Sequence, residues 1–252
     1  MTPDVPLVLW WSVSLAALDA PAFETLTRDC STAEFERADR FVFLRDRRAY
    51  LAAHGLLRIA LSAADPAQAP VDWSFVSSAH GRPELAPQLA SALRFNLSHC
   101  ASRVNCVVTA GLDCGIDVEL LARTTCTALL RQECLSAAER TWVQAVQPEQ
   151  QERRLMQLWT LKEAVAKAVG LGLYLPFAEL AFDVGPVPAL AAAPASVGTA
   201  WWLAQHATAD GHVEAMALGL PATRTISVSR REWPHPGRVI HGDSSMHAHY
   251  LL

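Results

Sequence analysis

The sequence contains no run of apolar residues that approaches the roughly 18 needed for a membrane-spanning helix. Its opening residues carry Asp4 and no basic segment ahead of the first apolar run, a pattern that does not predict a secretory signal. Basic residues are not in excess, since the formal net charge is −4, and this gives no reason to expect general nucleic-acid binding. Charged residues make up only 18% of the 252 residues and hydrophobic residues 51%, which excludes wholesale disorder and predicts a sizeable core.

The sequence has too few cysteines for a disulfide scaffold, and the six that are present form no CxxC pair of the kind found in zinc sites. We interpret them as reduced thiols that pack as small apolar side chains, which predicts a cytoplasmic protein. Four of the nine histidines fall within the last 18 residues, without cysteine or acidic partners at ligand spacing. We therefore predict no metal site in that segment.

Lysine is the scarcest charged residue of the chain. Of the 21 basic residues only Lys162 and Lys167 are lysines, and they stand five positions apart. Because a planar guanidinium does not replace a compact ammonium, two lysines in one segment indicate that an ammonium is needed there. The alternative is a chance pairing of two rare residues.

The order of predicted elements occurs twice along the chain. The first half reads as a strand at 7–13, a helical stretch at 34–62 and short strands near 73–76, 94–97 and 104–110. The second half begins with a strand at 114–120. Three helices follow: one near 127–133, one that starts at the capping box at 136–139, and one at 148–169. Strands are then predicted near 178–184, 200–206 and 212–219. Strands and helices do not alternate regularly, so we predict an α+β fold rather than a doubly wound parallel sheet.

The repeated order predicts two lobes. We place the N-terminal lobe at residues 1–113 and the C-terminal lobe at 114–221, with a tail of uncertain order at 222–252.

The segment GIDVE at 115–119 carries two carboxylates at alternate positions. In a strand, Asp117 and Glu119 share one face, while Ile116 and Val118 point into the core on the other. Two carboxylates about 7 Å apart on one strand are suitable oxygen ligands for a hard divalent cation. The alternative is a solvated polar strand face.

The segment WTLKEAVAKAVGLGL at 159–173 carries both lysines. On a helix, Glu163 and Lys167 lie on the same face with Lys162 beside them, and the alternative reading is an ordinary surface ion pair. Glu163 could complete a metal site begun by Asp117 and Glu119. A carboxylate cluster with an ammonium at its edge favours Mg²⁺ bound through substrate phosphates over zinc.

The N-terminal half offers a histidine and several arginines. Ser98 and His99 in FNLSH are adjacent and point in opposite directions along a strand, which argues against a nucleophile–base pair and so against a serine hydrolase. The helix that begins near Arg40 is rich in arginine, and Arg82 lies in a GRP loop. These charges suit a polyanionic ligand, and the alternative is a solvated surface.

These motifs, in this order and spacing, resemble those of the Sfp-type 4′-phosphopantetheinyl transferases. The matching segments are GRP (81–83), FNLSH (95–99), GIDVE (115–119), LSAAE (135–139) and WTLKEAVAKAVGLGL (159–173), and RFVF (40–43) is similar to the family's N-terminal helix. The resemblance spans about residues 40–173. Two positions depart from the family pattern: Leu135 replaces the usual Phe, and Arg82 stands where many members have Lys.

The resemblance implies that the phosphopantetheine arm of coenzyme A is transferred to a serine hydroxyl of an apo acyl or peptidyl carrier protein. Adenosine 3′,5′-bisphosphate is released, as in the holo-[acyl-carrier-protein] synthase class. It also implies a monomeric chain of two pseudo-symmetric α+β lobes, each a small, mainly antiparallel sheet packed on a long helix. Coenzyme A is expected in the cleft between the lobes, and no membrane or nucleic-acid partner is expected.

The resemblance also implies roles in catalysis. Asp117, Glu119 and Glu163 are expected to hold Mg²⁺ at the diphosphate. Lys167 is expected to neutralise the leaving phosphate, and His99 to hydrogen-bond the diphosphate. Glu163 is the first candidate for general base and Glu119 the second.

Four further residues are implied in coenzyme A binding. Arg40 and Arg48 are candidates for the 3′-phosphate, and Arg82 and Ser98 for the adenine-nucleotide portion. Two other classes of function remain open from the residues alone. A metal-dependent phosphodiesterase would hydrolyse coenzyme A or a related nucleotide without a carrier protein, and a non-catalytic nucleotide-binding protein would bind coenzyme A but label nothing.

Overall fold

The structure is a computed structural model that describes residues 7–78, 81–121, 129–185, 187–220 and 226–241, with side chains described as far as Pro234. Within these residues the chain divides into two compact units. The N-terminal unit contains residues 7–112 and 226–241, and the C-terminal unit contains residues 113–220. Among the helices of the described ranges, none has the length and apolar character that crossing a membrane requires.

The N-terminal unit begins with strand β1 (Leu7–Ser14) and three helices, α1 (Ala20–Thr27), α2 (Thr32–Ala38) and α3 (Leu44–Ala64). A hairpin of β2 (Phe75–Ser77) and β3 (Pro83–Leu85) follows, and then the antiparallel strands β4 (Leu93–His99) and β5 (Arg103–Ala110). Helix α3 packs its apolar face on the sheet, and its buried Leu56, Leu57 and Leu61 share a core with Trp11 and Val108. Leu26 of α1 and Trp73 add to the same core, so the unit buries one face of its sheet under several segments.

The predicted single helix over 34–62 is two helices in the structure. Helix α2 begins at a capping box in which the Ser31 and Glu34 side chains each bond the other's backbone N–H. It ends at Asp39, and α3 begins after Phe43, which is in an extended conformation. The hydrophobic pattern of the sequence continues across residues 39–43, so the pattern did not reveal the break between the two helices.

The C-terminal unit begins with β6 (Cys114–Leu120) and contains two helices, α4 (Ala137–Gln144) and α5 (Pro148–Val169). Its remaining strands are β7 (Ala181–Val184), β8 (Pro188–Ala192), β9 (Trp202–Ala207) and β10 (His212–Leu218). Strands β6, β10 and β9 form an antiparallel sheet in that order, and β7 pairs with β8. Of the helix predicted near 127–133, the described part is one helical turn at Leu130–Cys134, and residues 122–128 lie outside the described residues.

The chain then returns to the N-terminal unit. Strands β11 (Ser227–Trp233) and β12 (His235–His241) complete a five-stranded sheet in the order β12-β11-β1-β5-β4. Strand β11 pairs parallel with β1, and the other pairs are antiparallel. The guanidinium of Arg231 lies 5.2 Å from the ring centre of Trp11, and Arg103 bonds Glu232 at 3.2 Å. The segment in which the sequence indicated no element therefore forms part of a sheet.

Each unit thus places one long helix on a small, mainly antiparallel sheet. The predicted α+β fold class is confirmed.

Candidate active site

Helix α5 lies unusually close to strand β6. A Cβ atom added to Gly115 would stand 1.9 Å from the carbonyl oxygen of Ala164 and 2.6 Å from the backbone nitrogen of Ala168. Only glycine allows this approach, because any side chain would collide with helix backbone. Gly115 therefore marks the face of β6 that meets α5, and Asp117 and Glu119 lie on that same face.

This contact corrects one detail of the sequence interpretation. Asp117 and Glu119 do share a face, but it is the face covered by α5, and both side chains are buried, at 4% and 9% exposure. Ile116 and Val118 are buried on the opposite face of β6. Because β6 is an edge strand of its sheet, the two carboxylates lie at the border of the helix–sheet contact.

Glu163 on α5 brings a third carboxylate to this border. Its burial, together with the negative charges of Asp117 and Glu119, raises the pKa of the Glu163 carboxyl to about 7. Burial is the largest cause of this shift, and the charges of Asp117 and Glu119 add to it. The indole nitrogen of Trp159, one helical turn earlier, donates a hydrogen bond to Glu119 at 3.3 Å.

Lys167 supplies the positive charge of the cluster. Its ammonium lies 2.6 Å from Asp117 Oδ1 and 3.3 Å from the carbonyl oxygen of Ile116. The side chain is one quarter exposed, so its charge is available at the surface of the cluster. The structure thus brings together all four residues that the sequence predicted on β6 and α5.

The donor set suits a hard cation such as Mg²⁺, which prefers carboxylate oxygens. The raised pKa of Glu163 also shows excess negative charge that a divalent cation would neutralise. In the present rotamers no three His, Cys, Asp or Glu side chains of the described ranges converge on one point. Asp117 is paired with Lys167 instead, so an ion shared with Asp117 would have to displace that ammonium.

The second lysine is elsewhere. Lys162 is fully buried, on the side of α5 away from β6, where its ammonium lies 2.9 Å from Glu139. The sequence interpretation placed it beside Glu163 and Lys167, and it gave Glu139 only a capping role. A lysine inside a core requires a counter-ion. The capping-box residue Glu139 was the signal in the sequence that could have indicated a partner for Lys162.

The remaining predicted residues lie in the N-terminal unit. Ser98 is buried and His99 is exposed at the end of β4, which fits their predicted opposite directions. Arg82 follows Gly81 in the β2–β3 turn, and its guanidinium donates to the carbonyl oxygen of Phe95 at 3.2 Å. Gly81 has φ +80°, a conformation in which other residues are strained.

The two arginines predicted for the 3′-phosphate face different neighbours. Arg40 lines a cavity of about 760 Å³, whose lining also includes Arg37, Tyr50 and His54. Arg48 instead lies over the Phe23 ring, 4.4 Å from its centre, and donates to the carbonyl oxygen of Leu18. The cavity also contains Glu34, which is held as an anion: burial alone would raise its pKa, but bonds from His54 and Ser31 and the charge of Arg58 lower it to about 2.

Comparison with known proteins identifies the family. The sequence model of the 4′-phosphopantetheinyl transferase superfamily matches residues 113–217. The chain is 32% identical over 208 residues to 4′-phosphopantetheinyl transferase HetI of Nostoc sp. (strain PCC 7120), which covers 80% of this chain and 84% of HetI. The chain belongs to the 4′-phosphopantetheinyl transferase superfamily.

A second relative has the same activity in its name. The chain is 32% identical over 141 residues to a 4′-phosphopantetheinyl transferase of Bacillus subtilis, with 56% of this chain and 60% of the relative covered. Among solved structures, the holo-[acyl-carrier-protein] synthase of Thermotoga maritima aligns over 45% of this chain and 66% of its own, at 20% identity and a TM-score of 0.37.

The family prediction from the sequence motifs is confirmed, and so is the enzyme class. The protein is a phosphopantetheinyl transferase acting on carrier proteins, and coenzyme A is its co-substrate. The comparisons do not support the alternative of a phosphodiesterase. The family model covers Asp117, Glu119, Glu163 and Lys167, so the helix–sheet border of the C-terminal unit is the candidate active site.

Proposed function

We propose that the transferase moves the phosphopantetheine arm of coenzyme A to a serine of an apo acyl or peptidyl carrier protein, by the Sfp-type reaction. Adenosine 3′,5′-bisphosphate leaves. The observation that carries this proposal is the cluster of three carboxylates and one ammonium where α5 meets β6. A diphosphate with a bound divalent cation is the ligand that such a cluster complements.

Asp117, Glu119 and Glu163 would hold Mg²⁺. When bound, the ion supplies Lewis-acid stabilisation of the charge on the diphosphate oxygens. Two of these proposed ligands lie on a buried strand: Asp117 and Glu119 are both buried, and the indole N–H of Trp159 donates to Glu119. The rigid strand positions therefore leave Glu163 as the adjustable ligand.

Glu163 is also our first candidate for the general base that accepts the proton of the serine hydroxyl, directly or through water. In the metal-free site its pKa is raised to about 7, and a bound cation would lower it by favouring the ionised carboxylate that a general base requires. Glu119 is the second candidate. It is the weaker one, because it is buried and already accepts a hydrogen bond from Trp159.

Lys167 would neutralise the charge that develops on the leaving phosphate. Its ammonium is paired with Asp117 at 2.6 Å, and its side chain is one quarter exposed, so its charge can reach a phosphate at the surface of the site. The resemblance assigns His99 a hydrogen bond to the diphosphate, and His99 lies exposed at the end of β4.

For the rest of coenzyme A we propose Arg40 at the 3′-phosphate, with support from its place in a cavity that Arg37 also lines. The same cavity is lined by Glu34 and Glu36, so its charge is mixed. Arg48, Arg82 and Ser98 remain proposals from the resemblance. For Arg48 to bind the phosphate, its guanidinium must leave the Phe23 ring.

We also propose that the protein is a cytoplasmic monomer. The five cysteines described in the structure are free thiols, as expected in a reducing compartment. Sedimentation of the purified protein tests the monomeric state directly.

The proposed reaction is tested by incubating the protein with coenzyme A, Mg²⁺ and an apo carrier protein, and measuring the intact mass of the carrier. We expect a mass increase of one phosphopantetheine group, and no increase with a carrier whose acceptor serine is replaced by alanine. Consumption of coenzyme A with an unmodified carrier would contradict the proposal and indicate a phosphodiesterase.

A further inference from the structure

Lys162 has no access to solvent. Its relative exposure is 0%, and its ammonium is surrounded by three oxygens: Glu139 Oε2 at 2.9 Å, the Phe177 carbonyl at 2.8 Å and the Leu180 carbonyl. An ammonium has three N–H donors and no acceptor, so three oxygens satisfy it completely. A lysine this well matched to its surroundings fixes the helix that carries it.

Glu139 links Lys162 to two further segments. Its carboxylate accepts the backbone N–H of Ser136 at 2.8 Å, at the start of α4, and the N–H of Phe182 at 3.0 Å, in β7. Glu139 is itself 3% exposed. One buried ion pair thus connects α5, α4 and the segment that leads into β7.

The opposite side of α5 is fixed by Gly115 of β6, which contacts the backbone of Ala164 and Ala168. The helix is therefore held from two sides, by glycine contact toward the sheet and by the Lys162 ion pair away from it. Glu163 directly follows Lys162, and one residue in a helix is a rotation of about 100°. A rotation of α5 that displaces Lys162 must also turn Glu163 and Lys167 away from Asp117.

From this geometry we infer that Lys162, through its ion pair with Glu139, is a positioning residue that orients Glu163 and Lys167 toward Asp117 and so sets the affinity of the magnesium site. The inference rests on the proposed function of that site. Lys162 itself does not touch the substrate or the metal. Its role corresponds to that of outer-shell partners, whose loss typically costs about 10- to 100-fold in metal affinity.

Replacing Lys162 alone does not separate positioning from folding, because it leaves the Glu139 charge buried without its partner. The double variant Lys162→Met, Glu139→Gln removes both charges and keeps similar volumes. The glutamine oxygen still accepts a backbone N–H. We therefore expect the double variant to fold, whereas Lys162→Met alone should be strongly destabilised.

The test is the dissociation constant of Mg²⁺ measured by titration calorimetry on the metal-free protein, together with the KM for coenzyme A and kcat. We expect the double variant to bind Mg²⁺ about tenfold or more weakly, to lose kcat at limiting Mg²⁺ and to recover part of it at high Mg²⁺. Arg153→Met, on the exposed side of the same helix, is the matched control and should bind Mg²⁺ as the parent does.

Parent-like Mg²⁺ affinity in a folded double variant would overturn the inference and leave the proposed function intact. If the parent itself binds no Mg²⁺, the proposed metal site fails and the inference fails with it. If the double variant does not fold, Glu139→Gln decides. This variant keeps Lys162 and its two carbonyl partners, Phe177 and Leu180, but removes the charge and one of the two acceptor oxygens at position 139. Unchanged Mg²⁺ affinity in it contradicts the positioning role of the ion pair.

Discussion

The two lysines of the sequence occupy sites that suit a compact ammonium. Lys162 fills a closed cage of three oxygens, and Lys167 lies against Asp117 and a backbone carbonyl. A guanidinium is larger, planar and has five donors, so neither site would satisfy it. This gives a physical reason for the two exceptions in a chain whose other 19 basic residues are arginines.

We predict that Lys167→Arg loses activity although it keeps the charge. The arginine fork would displace Asp117 or an adjacent ligand, and the charge would no longer follow the leaving phosphate. Because that charge develops in the transition state, kcat should fall roughly ten- to a hundredfold with a smaller change in coenzyme A affinity. Steady-state transfer to a fixed carrier protein measures this effect.

The control for that substitution is Arg153→Lys, an exposed exchange on the same helix, which should change nothing. Circular dichroism establishes that both variants are folded. Parent-like turnover in Lys167→Arg would remove Lys167 from the reaction.

Glu163 predicts how metal binding depends on pH. Its pKa is raised from 4.5 to about 7, so the metal-free folded protein holds a proton that the unfolded chain releases. The contribution of this group to stability is therefore lost as pH rises from about 4.5 to 7. Mg²⁺ must displace that proton, and its affinity should fall about tenfold for each pH unit below 7.

This dependence is measured as the Mg²⁺-induced rise in melting temperature at pH 6 and at pH 8. The rise should be clearly larger at pH 8. In Glu163→Gln, which has no proton to release, the difference between the two pH values should disappear. An equal rise at both pH values in the parent would contradict the raised pKa of Glu163, because no proton would then be displaced by the metal.

At the scale of elements, local sequence patterns predicted the strand and the helix that carry the candidate site. They did not predict how the two elements pack. The alternation in GIDVE and the helical spacing of Glu163 and Lys167 correctly indicate β6 and one face of α5. The capping box at Ser136 is also present as predicted. These signals depend on neighbouring residues in the chain, which is why the sequence alone reveals them.

The directions of Lys162 and Arg48 depend on contacts distant in the sequence. The partner of Lys162 is Glu139, and Arg48 stacks on Phe23, in both cases a residue from another helix. Helical spacing alone gives the angle between side chains but not the neighbour each one meets. The sequence interpretation therefore placed Lys162 beside Glu163 and Lys167, and it did not reveal that Arg48 stacks on Phe23.

The close contact of β6 with α5 predicts a severe effect of Gly115→Ala. The added methyl group would collide with the backbone of Ala164 and Ala168, which no side-chain movement relieves. We expect a loss of stability of at least about 1–3 kcal/mol, with weaker Mg²⁺ binding as the helix moves away. Chemical denaturation measures the first and calorimetry the second.

Gly185→Ala is the matched control, since a Cβ there would have no atom closer than 3.9 Å. It should change stability by no more than about 0.5 kcal/mol. Equal stability of the Gly115→Ala variant and the parent would contradict the described approach of helix and strand.

At the scale of the whole molecule, a strand near the end of the chain pairs with the first strand. Strand β11 pairs with β1, although the two are about as far apart in sequence as the chain allows. The residues of β11 are mostly polar and charged, and they form a strand through pairing with β1 on one side and β12 on the other. The sequence alone predicted a tail here because it lacks the hydrophobic alternation of an independent strand.

The central claim is that the carboxylates of the C-terminal unit hold the metal on which transfer depends, and Asp117→Ala tests it most directly. The measurement is the rate of carrier-protein modification with coenzyme A and ordinary Mg²⁺, followed by intact mass. We expect Asp117→Ala to abolish transfer while circular dichroism and melting show a folded protein. The control variant Asp183→Ala, at an exposed residue, should be fully active. Near-normal transfer by a folded Asp117→Ala variant would contradict the claim.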